Sequence, residues 1–227
     1  MTTPRVILGT MTFSDQTNEA DAATIVQRFA EMPPSIIGEH AELDTARIYN
    51  DGATEDMLGR IISEKLPSEA VAKLAIATKA NPRLSLSGAG VQAQMEDSMA
   101  ALKGEECDIY YLHSPDADVP IAETLEAVQK LYEAKRFRRF GLSNYTAWEV
   151  VWIHAYMKEK GYVLPSVYQG MMNPLTRSSS ENLLPALRRL NICFNLYVPC
   201  AMRPRIALCV CGSGAFSPEG RPDASPG

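Results

Sequence analysis

Five stretches of this chain end an apolar run in polar side chains. They are Leu43-Asp44-Thr45-Ala46-Arg47-Ile48-Tyr49, Ala77-Thr78-Lys79, Leu112-His113-Ser114, Leu142-Ser143-Asn144-Tyr145 and Val167-Tyr168-Gln169-Gly170. Brought to one place, such a set suits the reduction of a carbonyl group. A phenol ionises near pH 10 or so, about three units too high for a good proton donor at neutrality unless its anion is stabilised. An ammonium from Lys79 beside Tyr49 would stabilise that anion. Lys79 in turn needs Asp44 to hold its charge and position in a partly dry site. His113 can hydrogen-bond a carbonyl oxygen and share in the proton transfer. None of these groups delivers hydride, so a nicotinamide cofactor is implied. Lys79 could also form a Schiff base, as in barrel aldolases, but the acid and phenol expected beside it favour the first chemistry.

Residues this far apart meet only if strands carry them to a common mouth. Apolar runs at Val6 to Leu8, Leu74 to Ala77, Ile109 to Leu112, Phe140 to Leu142, Ser166 to Tyr168 and Ile192 to Val198, with one more near residue 43, read as seven buried strands. Helical spacing separates them. Val91, Met95, Met99 and Leu102 recur at helical intervals, as do Ile121, Leu125, Val128 and Leu131. Ser87 and Thr146 stand where N-caps belong, and Gly161 reads as a stop. Trp148, Val151, Trp152 and Ala155 read as the packed face of the helix between the last two. Met32 to Gly38, with its Pro33-Pro34 pair, reads as an inserted loop. Alternating strands and helices imply right-handed crossovers and a parallel sheet, and no Gly-rich phosphate turn follows the first strand. The fold class expected is α/β, a (β/α)8 TIM-barrel type left incomplete at about seven βα units.

The mouth residues carry a resemblance. Leu43-Asp44-Thr45-Ala46 with Tyr49 and Gly52, Thr78-Lys79, Leu112-His113-Ser114-Pro115-Asp116 and Gly141-Leu142-Ser143-Asn144-Tyr145 follow one another at barrel spacing. Together they strongly resemble the aldo-keto reductases. Ala80-Asn81-Pro82 and Tyr168-Gln169-Gly170-Met171, with Asn173 and Arg177, look like the aflatoxin-aldehyde reductase branch. The resemblance implies that Tyr49 is the general acid and that Asp44, Lys79 and His113 complete its tetrad. Ser143, Asn144 and Gln169 match positions that hold the nicotinamide carboxamide. Tyr197 matches the aromatic residue on which the ring stacks, and Met11 falls where the first strand meets the cofactor. The cofactor implied is NADPH and the substrate a small-molecule aldehyde or ketone, while a homodimer stays open.

Composition sets the outer limits. The 227 residues are 46% hydrophobic and 22% charged, a globular balance. A net charge of −5 argues against a nucleic-acid partner. No apolar run approaches the ~18 residues of a membrane helix, and the first nine residues lack a signal core, so no membrane partner and a cytoplasmic location are expected. Five cysteines, four of them after residue 192, lack zinc spacing, so no metal is expected. Residues 1–199 read as the barrel and 200–227 as a divergent, disordered tail, since ten of the last sixteen residues are Gly, Pro or Ser. No eighth strand or final helix is expected there, which would leave the edges of the first and seventh strands unpaired. The resemblance implies that this missing part carries the cofactor's phosphate contacts, which would then be lost apart from any made by Arg203 and Arg205. The alternative this leaves is a catalytically impaired family member that acts as a binding or partner subunit.

Overall fold

The computed structural model describes residues 5–104, 106–171 and 181–197, and the backbone of 207–212. Asn173, Arg177, Arg203, Arg205 and the segment 213–227 lie outside the described residues.

Seven strands run parallel and in sequence order: β1 (Arg5–Gly9), β2 (Ala41–Asp44), β3 (Leu74–Ala80), β4 (Cys107–Leu112), β5 (Phe137–Ser143), β6 (Pro165–Met171) and β7 (Cys193–Tyr197). Each expected strand is present. They are legible because a strand covered on both faces needs apolar residues at consecutive positions. Outside the sheet lie α1 (Glu19–Ala30), α2 (Pro34–Ile37), α3 (Ala53–Arg60), α4 (Ser68–Val71), α5 (Gly88–Leu102), α6 (Ile121–Glu133), α7 (Ala147–Lys160) and α8 (Leu183–Arg189). The main core fills the layer between sheet and helices, where Leu43, Leu58, Met95, Tyr110, Leu125, Phe140 and Ile153 are buried. A second, smaller plug of Ala77, Ile109, Tyr111 and Val167 fills the barrel itself. Among the described residues no helix is long and apolar enough to cross a membrane.

Local signals explain several helix ends. The Ser87 side chain accepts a hydrogen bond from the Gly90 amide at 3.2 Å and starts α5. Thr146 and Glu149 form a reciprocal capping box ahead of α7, and Gly161 ends that helix with φ +69°. The α7 face, however, is mis-phased in the sequence reading. Val150, Ile153 and Met157 are buried, whereas Trp148, Val151, Trp152 and Ala155 are exposed. Four consecutive large apolar or aromatic residues, 150–153, fit either phase, so periodicity alone could not choose. Met32 to Gly38 is also more than a loop. Pro34 opens a single helical turn, α2, whose Ile37 is buried.

The largest correction concerns the eighth strand. The edges of β1 and β7 are not bare. A further strand, β8 (Ala207–Gly212), runs antiparallel between them, with Ile7 opposite Cys209 and Leu196 opposite Val210. Ala207-Leu208-Cys209-Val210-Cys211 is a short apolar run of the kind an open edge recruits, and averaging it with the Gly/Pro-rich residues beyond hides it. Residues 207–212 therefore belong to the barrel rather than to a tail. As a (β/α)8 assembly the barrel remains incomplete. It has seven parallel strands, and no eighth parallel strand is found among the described residues.

Candidate active site

The strand ends deliver their polar residues to one chamber. β2 ends in Asp44 and β3 carries Lys79, whose side chain is completely buried between them. Lys79 Nζ donates to Asp44 Oδ1 and to the Thr45 carbonyl, each at 2.8 Å. Gln169 Nε2, arriving from β6 across the barrel, donates to the same Asp44 oxygen at 3.0 Å. The turn after β2 brings the Tyr49 ring to 5.1 Å from Lys79 Nζ. His113, just past β4, stands edge-on to that ring at 5.9 Å. A cavity of about 210 Å³ is lined by Met11, Asp44, Tyr49, His113, Ser143, Asn144, Gln169 and Tyr197, together with Gly9 and Thr10. Eight of the nine sequence-predicted residues thus line one cavity, and the ninth, Lys79, is tied to it through Asp44.

Charge and burial set the protonation of the group. Burial pushes the Tyr49 phenol above its ordinary value; the Lys79 ammonium pulls the other way, and the Asp44 charge adds to the rise. The lowering expected from Lys79 is therefore present but outweighed, and the phenol is protonated at neutral pH. Burial alone would weaken the Lys79 ammonium, yet Asp44 and Tyr49 outweigh it and hold the group above its ordinary value. His113 is pushed down to about 3 by burial and by the Lys79 charge, so its ring is neutral. Its Nδ1 lies 3.0 Å from the Asn81 Nδ2. That amide can only donate, so Nδ1 accepts and the ring proton sits on Nε2.

The rest of the lining is polar in a complementary way. Asn144, with φ +61°, donates through Nδ2 to the His113 carbonyl at 2.9 Å and to Ser143 Oγ at 3.0 Å. The Ser143 O–H is left to donate. Gln169 spends its Nε2 on Asp44, which turns its carbonyl oxygen into the acceptor of the pair. The Tyr197 hydroxyl donates to Asn144 Oδ1 at 3.4 Å, closing this side.

The family model for the aldo/keto reductase family matches residues 5–203. The chain belongs to that family. It is 40% identical over 200 residues to aflatoxin B1 aldehyde reductase member 2 of Rattus norvegicus, which covers 87% of this chain and 52% of the relative. It is 38% identical over 200 residues to aflatoxin B1 aldehyde reductase member 4 of Homo sapiens, covering 87% and 58%. An aldo-keto reductase of Pseudocercospora fijiensis is 39% identical over 163 residues, covering 71% and 55%. The chain spans about half the length of the curated relatives it matches.

Within this aldo/keto reductase barrel, sequence reasoning missed the residues that support the mouth. Asn81 fixes the His113 ring, although it was legible only as a motif letter after the lysine. Tyr111 lies under Lys79, its ring 5.7 Å from Nζ, and its hydroxyl accepts from Asn195 Nδ2 at 3.1 Å. Gly141 makes room for it, since a Cβ there would come within 2.3 Å of the Tyr111 ring. A Tyr, a Gly and an Asn buried on three separate strands carry no local signal of that contact.

Proposed function

We propose that this chain reduces aldehydes or ketones to alcohols with NADPH, using Tyr49 as the proton donor. The observation that carries the reading is the buried Asp44–Lys79 pair set beneath a phenol and a neutral imidazole on one chamber wall.

The chamber fits a nicotinamide. The Gln169 carbonyl oxygen suits the amide N–H of a carboxamide, and the Ser143 hydroxyl suits its oxygen. Tyr197 and Met11, both in the lining of that cavity, offer an aromatic and an apolar surface for the ring. When bound, the cofactor supplies the hydride that adds to the carbonyl carbon. As negative charge grows on the substrate oxygen, Tyr49 passes its hydroxyl proton to that oxygen. The Lys79 ammonium stabilises the phenolate left behind, and Asp44 keeps Lys79 charged and in place. His113, holding its proton on Nε2, hydrogen-bonds the substrate oxygen and orients it. Preference for NADPH over NADH rests on the family resemblance.

A second reading is an impaired family member that acts as a binding or partner subunit. It is favoured by one fact: the family match ends at residue 203, so β8 lies outside the matched residues. Titration of the folded chain with NADPH, followed by nicotinamide fluorescence, separates the two. Micromolar saturation with turnover of a small aldehyde supports the reductase. Absence of binding up to millimolar cofactor, with circular dichroism unchanged, supports the partner subunit.

A further inference from the structure

Immediately after Tyr49 three successive residues take left-handed backbone: Asn50 (φ +49°), Asp51 (φ +52°) and Gly52 (φ +93°). Residues other than Gly adopt this region at a cost, and such conformations persist where the surroundings over-determine them. Asn50 lies at the surface, so burial does not fix it. Its carboxamide does. Nδ2 stands 2.7 Å from the Phe13 carbonyl, 3.2 Å from the Met11 carbonyl and 3.1 Å from Thr54 Oγ1. Thr54 Oγ1 itself donates to Phe13 O at 3.0 Å, which ties the start of α3 to the same point. On the other side Arg47 braces the turn, donating from Nη1 to the Gly52 carbonyl at 2.9 Å and to Asp56 Oδ1 at 3.0 Å.

We infer that Asn50 is a positioning residue: its amide clamps the Tyr49 turn to the Met11–Phe13 loop and thereby fixes where the phenol stands in the chamber. The inference rests on the reductase reading for its catalytic meaning, but the clamp itself does not. Both clamped loops line the chamber, one through Tyr49 and the other through Met11. Misplacing a reacting group by about 1 Å can cost roughly a hundredfold in rate. The chemistry asks for an amide. An Asp at this position would set a carboxylate oxygen against two carbonyl oxygens. A Gly would adopt the backbone readily but could make no clamp.

That last distinction provides the test. In Asn50→Gly, a residue kept only for its left-handed backbone would lose nothing, whereas a clamp would be lost entirely. The chain is labelled with ¹³C at the tyrosine ring, the Tyr49 signal is assigned by its loss in Tyr49→Phe, and its pH titration is followed by NMR. Asn50→Gly is expected to keep its melting temperature, to shift and broaden the Tyr49 signal, and to lower kcat about 10- to 100-fold. Asn50→Asp is expected to lose more. Should Asn50→Gly fail to fold, Asn50→Ser, too short to bridge both carbonyls, is expected to give the same spectral change. A Tyr49 signal and titration identical to wild type in the folded variant overturns the inference, whatever the activity. If the signal moves while the wild-type chain never turns over an aldehyde, the clamp stands and the reductase reading falls.

Discussion

Glu42 and Asp44 stand two residues apart on β2, both reach across the barrel axis, and they end in opposite circumstances. At the floor, Glu42 is 1% exposed and its Oε2 meets two arginines, Arg5 from β1 at 2.7 Å and Arg139 from β5 at 3.3 Å. Arg139 is shared with Asp108. At the mouth, Asp44 meets a single buried cation, Lys79, and that cation faces a phenol. The floor saturates its charges with one another. The mouth leaves one cation with chemistry still to do, because a phenolate can take up the positive charge that Asp44 only partly answers. One strand thus carries a structural carboxylate and a candidate functional one. What separates them is the cationic partner each finds and what that cation faces in turn.

The comparison breaks most sharply at Tyr49. Removing its hydroxyl touches no floor contact, so Tyr49→Phe is expected to lower kcat with a small aldehyde by roughly 10²–10⁴-fold, the span typical of a lost general acid. Its melting temperature should barely move. Consumption of NADPH by absorbance and thermal melting read the two quantities separately. Turnover at the wild-type rate would remove Tyr49 from the mechanism.

Glu42→Leu should do the reverse. Breaking a fully buried ion pair costs about 3–5 kcal/mol. Arg5 and Arg139 still reach solvent, with side chains 22% and 34% exposed, and can recover hydration. A loss of about 2–3 kcal/mol in urea unfolding is therefore expected, below the full figure for a buried pair. The kcat of the molecules that remain folded should be unchanged. A large fall in kcat without a stability change would mean that floor and mouth are one network.

This division also marks what the sequence could tell. The mouth was legible because its residues end apolar runs, and a polar group at the C-terminal end of a barrel strand has few structural reasons to be there. The floor was not. Arg139 and Glu42 are 97 residues apart, and each looks like a solvated charge until the closed sheet sets them face to face. Asn81 was hidden in the same way, since only the folded turn after β3 brings its amide to the imidazole. The β8 segment was lost for a different reason. Its five apolar residues are too few to stand out against a glycine- and proline-rich neighbourhood, and their partners are edges that exist only once seven other strands have assembled. The phase of α7 failed because a helix with apolar residues all round offers no periodicity to read.

A finer cut lies within the mouth. Asn81→Ala would release His113 Nδ1 and let the ring proton move between its nitrogens. A fall of about tenfold in kcat/KM, or about 1.4 kcal/mol of transition-state stabilisation, is expected. It should be carried by kcat rather than by the cofactor affinity, since Asn81 does not line the chamber. Steady-state kinetics with NADPH binding measured separately would decide. An effect confined to cofactor binding would place Asn81 outside the orientation of His113.

The smallest effect concerns a third carboxylate, Glu55 on α3, which belongs to neither mouth nor floor. It is completely buried in the layer between helices and sheet; its Oε1 accepts from Thr78 Oγ1 at 2.5 Å, and its Oε2 has no hydrogen-bond partner among the described residues. Burial pushes its carboxyl above the ordinary range, and the hydrogen bonds from Thr78 and Ser98 and the more distant Arg47 and Lys79 only partly oppose this. The folded chain therefore holds this proton more tightly than the unfolded chain does. The stability gained from protonation is complete below the ordinary carboxylate range, near pH 4 or so, and is lost as pH rises through the higher folded value. Glu55→Gln is neutral at every pH and keeps the shape. Its melting temperature should match wild type in mild acid and exceed it at pH 8, with the gap opening between. Melting curves across that range test it. A gap of constant size would mean that Glu55 is already ionised in the fold, and that a buried carboxylate without a direct cationic partner is tolerated here as readily as the paired one at the floor.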